Sequence, residues 1–168
     1  PNPYYTGEIA RRCMEEIFEP TIKAMAAEGR PFKGCLYFGL MLTPKGPKVI
    51  EYNARFGDPE TQVVLPRLKT DLVEILDAVI EERLEGLDIL WDDRCSACVV
   101  MASGGYPGSY PKGLVISGLK ENGQVDGAVV YHAGTSYKDG AFYTNGGRVL
   151  GVTACGATLE EALQRSYQ

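Results

Sequence analysis

Three side chains suited to handling phosphate and a divalent cation crowd into the run Val49-Ile50-Glu51-Tyr52-Asn53-Ala54-Arg55-Phe56-Gly57-Asp58-Pro59-Glu60. On an extended strand Glu51 and Asn53 point to the same face, because side chains alternate with period two. A carboxylate and an amide oxygen side by side at a strand end are suitable ligands for Mg²⁺, which completes its shell with water and phosphate oxygens. Arg55 adds a planar fork for a carboxylate or phosphoryl group in the same neighbourhood. The same spacing also describes a solvated Glu51–Arg55 ion pair at a hairpin end, which would contribute little.

The second half of the chain carries weaker signals. Ser103-Gly104-Gly105-Tyr106-Pro107-Gly108 could present backbone N–H groups to a phosphate, or could simply join two strands. Thr144-Asn145-Gly146-Gly147 suits a tight turn with positive φ, and Arg148 follows on the next strand, available to an anion or to a surface carboxylate. Cys95 and Cys98 have the spacing of half a zinc or redox motif, but no second pair exists and positions three apart on a strand face opposite sides, so buried thiols are expected. His132, the single histidine, has no nucleophile arrangement beside it and reads as a packed, hydrogen-bonded residue.

These residues need particular elements to position them. After a rigid Pro1-Asn2-Pro3 opening, Thr6 is an expected N-cap, and Ile9, Cys13 and Ile17 recur as an amphipathic face. Pro20 should split this helix into two pieces ending at Gly29. Strands at 34–42 and 48–52 around Thr43-Pro44-Lys45-Gly46-Pro47 form a β-hairpin, followed by a polar loop over 53–60. A helix with Leu72, Ile75, Leu76, Val79 and Ile80 on one face is expected from about Asp71 to Leu84, ended by Glu85-Gly86. Short strands follow at 95–102, 114–117, 128–133, 141–144 and 149–155. Thr158 with Glu161 forms a capping box for a last helix. A domain boundary falls near 86–93, giving domains at 1–88 and 89–168 of α+β class.

Composition narrows the function. The chain has 168 residues, net charge -5 and 45% hydrophobic positions, which suits a globular core and argues against a nucleic-acid surface. No apolar run approaches the roughly 20 residues of a membrane span, and no signal segment is evident. The five cysteines are scattered and odd in number, so reduced thiols and a cytoplasmic protein are expected. The chain opens at Pro1 and closes on what reads as an unfinished helix, so a fragment lacking the N-terminal part of its parent is expected.

The run Glu51 to Glu60, with Gly104-Gly105-Tyr106-Pro107-Gly108, His132-Ala133-Gly134-Thr135 and Thr144-Asn145-Gly146-Gly147-Arg148-Val149-Leu150, resembles the phosphoribosylamine–glycine ligase (glycinamide ribonucleotide synthetase) family across essentially the whole chain. That family belongs to the ATP-grasp ligases. The resemblance implies the second half of an ATP-grasp domain followed by a small, mostly antiparallel C-terminal domain. It also implies a reaction in purine biosynthesis: glycine carboxylate attacks the ATP γ-phosphate, and 5-phosphoribosylamine then displaces phosphate from glycyl phosphate. Glu51 and Asn53 match the metal-ligand positions, for Mg²⁺ or Mn²⁺ with ATP.

By analogy to related ligases, Arg55 would hold the glycyl carboxylate or the acyl phosphate and Asp58 would orient an amine. Gly57 lies between them in the same substrate-contacting run, and Arg148 would contact the ribose 5′-phosphate. Many ATP-grasp enzymes place another carboxylate on the preceding strand, where this chain has Leu36-Tyr37-Phe38-Gly39-Leu40, an absence that fits this family. Two alternatives stand beside this reading. One is another ATP-grasp carboxylate–amine ligase; the other is a non-catalytic binding or assembly module, favoured if Glu51 and Asn53 turn away from any cleft. The phosphate-binding lysine and adenine hinge would lie upstream of Pro1, so the fragment alone should turn over nothing and should expose apolar surface.

Overall fold

The computed structural model describes residues 4–168, and the opening expected at Pro1-Asn2-Pro3 lies outside them. The chain forms two units. The first comprises the residues up to Gly57 with Thr70–Ile89, and the second comprises Asp58–Lys69 with Leu90–Gln168. The chain therefore passes between them at Gly57/Asp58, Lys69/Thr70 and Ile89/Leu90.

In the first unit Thr6 caps α1 (Gly7–Cys13), its side chain accepting a hydrogen bond from the Ile9 amide. Pro20 does not break the helix in two as expected. The π-helical turn Met14–Phe18 precedes α2 (Glu19–Ala27), with Pro20 in its first turn. A wider turn removes the i→i−4 bond that proline cannot make and gives its ring room. The helix ends at Gly29, whose φ of 72° lets the Gly29 and Arg30 amides close back on the Ala26 and Met25 carbonyls.

The hairpin pairs β1 (Tyr37–Thr43) with β2 (Gly46–Asn53) in antiparallel register. Its two-residue loop is held by the Thr43 hydroxyl, which donates to the Gly46 carbonyl and accepts from the Lys45 amide. An irregularity at Gly39/Leu40 shifts the register. It leaves Gly39 opposite Glu51 and Leu40 opposite Val49, so the apolar set changes face without β1 breaking. Phe18 packs on Phe38 and Phe38 on Tyr52, with ring centroids 4.5 and 5.3 Å apart. Beside them lies an apolar groove of about 710 Å³ lined by Ile17, Pro20, Met25, Phe32, Leu36 and Val49 among others.

Asp71 caps α4 (Leu72–Ile80) by accepting from the Val73 amide. This helix stops short of the expected Leu84. Glu82 turns to φ 58°, the Arg83 amide closes on the Ala78 carbonyl, and Lys33 pairs with the Glu82 carboxylate. Val73, Leu76 and Ile80 are exposed on α4.

The second unit contains two three-stranded antiparallel sheets, in the orders β3-β8-β5 and β4-β7-β6. Their strands are β3 (Cys95–Ala102), β4 (Val115–Ile116), β5 (Val129–His132), β6 (Thr135–Lys138), β7 (Ala141–Thr144) and β8 (Arg148–Gly156). The core gathers Val130, Val149 and Leu150, with Ile116, Leu119 and Val125 against them. α5 (Leu159–Ser166) lies on one face of β3 and β8. A Cβ at Gly156 would stand 2.7 Å from the Ala162 amide, and Ser166 donates to the Ala97 carbonyl. Thr158 caps α5 as expected, its hydroxyl accepting from the Glu161 amide, while the Glu161 carboxylate accepts from the Ala157 amide one residue before the N-cap amide that a full capping box uses. Against β3 and β8 also packs α3 (Thr61–Val64), a short helix just beyond the expected loop.

Among the described residues, no helix is long and apolar enough to cross a membrane. All five cysteines are free thiols. Burial raises the Cys35 thiol above its usual pKa. Burial also raises the Tyr131 hydroxyl, with Cys98 and Cys155 adding to the effect.

Candidate functional site

The candidate metal ligands sit at the end of β2 in the first unit. The ladder places Glu51 opposite Gly39 and Asn53 opposite Tyr37, so both side chains share one hairpin face. The Asn53 amide nitrogen donates to Glu51 Oε1 across 3.2 Å. Gly39 explains how the glutamate lies there: a Cβ at that position would come within 2.7 Å of Glu51 Cγ. A bulkier residue at this β1 position would have to displace it. The shared face is open and exposed at Glu51; the apolar groove involves Val49 and Tyr52 instead.

The donor set fits a hard divalent cation. Glu51 offers carboxylate oxygens, and rotation of the Asn53 amide would turn its oxygen toward the same point in exchange for the present hydrogen bond. Arg55 follows on the loop, where its guanidinium donates to the Phe56 carbonyl at 3.0 Å. Gly57 closes the first unit's segment.

Asp58 and Arg148 come together in the second unit. Arg148 Nη1 donates to the Asp58 backbone carbonyl at 2.6 Å, and Nη2 lies 3.5 Å from Asp58 Oδ2. The other carboxylate oxygen, Oδ1, accepts from Gln62 Nε2 at 2.7 Å. A carboxylate only accepts, so the Gln62 amide nitrogen must be the atom facing it. Gln62 lies four residues from Asp58, but Asp58 precedes α3 (Thr61–Val64), so helical spacing does not foretell this contact.

Three glycine-bearing motifs converge behind Arg148. A Cβ at Gly134 would stand 2.5 Å from the Gly146 Cα and from the Arg148 carbonyl, so these segments touch backbone to backbone. A Cβ at Gly147 would overlap the Tyr106 ring. Ser103 ties the loops together, its amide donating to the Gly147 carbonyl and its hydroxyl to the Gly146 carbonyl. The Gly104–Gly108 stretch is thus more than a strand connection: it buttresses the turn that launches Arg148. His132 is held through both ring nitrogens, to Thr135 Oγ1 and the Gly123 carbonyl, each at 3.0 Å.

Comparison with known proteins gives consistent results. Residues 1–61 match the family model for the phosphoribosylglycinamide synthetase ATP-grasp (A) domain, and residues 96–168 match that for the C domain. The chain is similar to the phosphoribosylamine–glycine ligase of Caldanaerobacter subterraneus, 51% identical over 168 residues, covering 100% of this chain and 40% of that protein. It is 52% identical to the enzyme of that name from Vibrio parahaemolyticus over 169 residues, covering 100% of this chain and 39% of the relative. The crystal structure of the Thermotoga maritima phosphoribosylamine–glycine ligase matches with a TM-score of 0.77 and 31% identity, covering 99% of this chain and 40% of that one. The chain thus spans about 40% of the length of the curated relatives it matches.

Proposed function

The chain belongs to the phosphoribosylglycinamide synthetase family, and on that premise we propose that it contributes to an enzyme joining glycine to 5-phosphoribosylamine in purine biosynthesis, with ATP consumed. The observation that carries this reading is the pairing of Glu51 with Asn53 over Gly39, in a chain that matches both domains of one ligase. Residues 1–88 are assigned to the ATP-grasp part and 89–168 to the C-terminal domain, supported by the matched ranges 1–61 and 96–168, with Asp58–Lys69 belonging to the first by sequence and packing in the second unit. Free thiols in all five cysteines support a cytoplasmic location.

In the proposed reaction a glycine carboxylate oxygen attacks the γ-phosphorus and the bond to the β-phosphate oxygen breaks, releasing ADP. The amine nitrogen of 5-phosphoribosylamine then attacks the carbonyl carbon of glycyl phosphate, the carbon–oxygen bond to phosphate breaks, and the nitrogen loses a proton. Charge collecting on phosphoryl oxygens is the main barrier. Glu51 and Asn53 would hold a divalent ion, Mg²⁺ or Mn²⁺, which when bound neutralises that charge. Arg55 is assigned to the glycyl carboxylate or acyl phosphate, for which its present partner, a neighbouring carbonyl, is easily exchanged. Gly57 is assigned to the substrate-contacting backbone and Asp58 to orienting the attacking amine. Arg148 is assigned to the substrate's 5′-phosphate.

The test is ADP release by the full reading frame containing this chain, with glycine and phosphoribosylamine omitted in turn and Glu51→Ala as control. Release that requires both substrates and disappears in the control supports the assignment. Release with a different acid or amine would keep the ATP-grasp chemistry and overturn the substrates. No release under any condition would point to a binding module, which the open face around Glu51 would suit.

A further inference from the structure

The Asp58–Arg148 contact raises a question of geometry. Both side chains are close to half exposed and their charged atoms are 3.5 Å apart, an arrangement that by itself holds neither group firmly. An aspartate in such a pair can rotate its carboxyl group and present either oxygen, and the arginine follows. Here a hydrogen bond opposes that rotation. Gln62 donates to Oδ1 at 2.7 Å, which leaves Oδ2 turned toward Arg148.

Gln62 is itself held from behind. It stands in α3, which packs on β3 and β8, and its Cγ lies 3.9 Å from where a Cβ on Gly151 would be. The side chain rests on β8 at a position with no side chain of its own. Its Oε1 is buried and has no hydrogen-bond partner among the described residues, so the amide faces inward on one side and Asp58 on the other. The order of support runs from β8 through Gln62 to Asp58 and then to Arg148, which begins β8.

We infer that Gln62 is a positioning residue that fixes the Arg148 guanidinium through Asp58. Arg148 then keeps Nη1 on the Asp58 carbonyl and Nη2 beside its carboxylate, leaving its remaining donors in one orientation for an anion. The consequence for catalysis rests on the assignment of Arg148 to the substrate phosphate.

The experiment uses the full reading frame with Gln62→Leu, which removes the amide, and Gln62→Glu, which keeps the shape but cannot donate while ionised. Two properties are read: the order of the Arg148 Nε–H group by ¹⁵N relaxation, and steady-state kinetics for each substrate. In both variants Arg148 should lose order. The KM for phosphoribosylamine should rise about tenfold, with the KM for ATP and for glycine changed by less than about twofold. On an Asp58→Asn background the Gln62 substitutions should raise that KM no further, as expected for residues acting in series. An Arg148 group as ordered in both variants as in the parent would overturn the inference. Loss of order with an unchanged phosphoribosylamine KM would uphold Gln62 as the positioning residue and overturn the assignment of Arg148 to the substrate phosphate.

Discussion

Gly39 faces Glu51 across the hairpin so closely that a methyl group on Gly39 would stand 2.7 Å from the glutamate Cγ. Gly39→Ala should therefore push the Glu51 carboxylate away from Asn53 while the ladder persists. In the full reading frame, the divalent-metal concentration giving half-maximal ADP release should rise on the order of 10- to 100-fold, the usual cost in metal affinity of disturbing what orients a ligand. An unchanged metal requirement would remove Glu51 from the ligand set.

The backbone contact at Gly134 supports a paired stability test. Gly134→Ala places a Cβ 2.5 Å from Gly146 and Arg148 backbone atoms, which cannot swing aside as a side chain would. Overpacking of this kind costs about 1–3 kcal/mol. Gly104→Ala has nothing among the described residues within 4 Å of its new Cβ and should stay within about 0.5 kcal/mol of the parent. Urea unfolding of both variants checks the contrast, and equal losses would refute the close approach of these segments.

The last helix should depend measurably on its cap. Thr158→Ala removes the acceptor of the Glu161 amide and should cost about 1 kcal/mol, whereas Thr158→Ser should recover most of it. Circular dichroism during urea unfolding would register the difference. Equal stability of the alanine and serine variants would count against the capping role.

Asp92 provides a pH test. Its carboxylate accepts from the Arg94 side chain and from the Arg94 backbone amide, and these bonds lower its pKa from 3.8 to about 2. A carboxyl group lowered by folding stabilises the native state above its unfolded pKa, and that contribution fades as pH falls through the folded value. The Asp92 contribution should thus be complete above about pH 5 and lost progressively down to about pH 1. An NMR titration should put the Asp92 midpoint near 2, moving up toward 3.8 in Arg94→Ala. A midpoint that ignores Arg94 would refute the pairing.

Much of this architecture is legible from local chemistry. Thr6, Asp71 and Thr158 mark helix starts because each side chain replaces a hydrogen bond that the first turn leaves unmade. The two strands at 95–102 and 141–144 coincide with their expected limits. The adjacency of Glu51 and Asn53 follows from strand period alone. What escaped depends on partners distant in sequence or on backbone compromise. Pro20 by its residue type should split the helix in two, but the preceding π-turn accommodates it. Glu82 adopts a positive φ that its residue type would not suggest, held there by chain closure and by Lys33. β6 (Thr135–Lys138) exists because β7 is there to pair with it. Gln62 was missed because its meaning depends on Gly151, 89 positions further on.

The assignment of Asp58–Lys69 to the second unit bears on how the molecule is made. This segment leaves the ribosome long before β8, the central strand of the sheet it packs against, since Arg148 lies 90 residues beyond Asp58. At common translation rates that interval is about 5–20 seconds, very long beside the submicrosecond closure of a short loop. Throughout it, α3 has no sheet to rest on. The first unit meanwhile must carry a dangling insert, so cutting the chain into two contiguous pieces at Ile89/Leu90 would strand α3 on the wrong one.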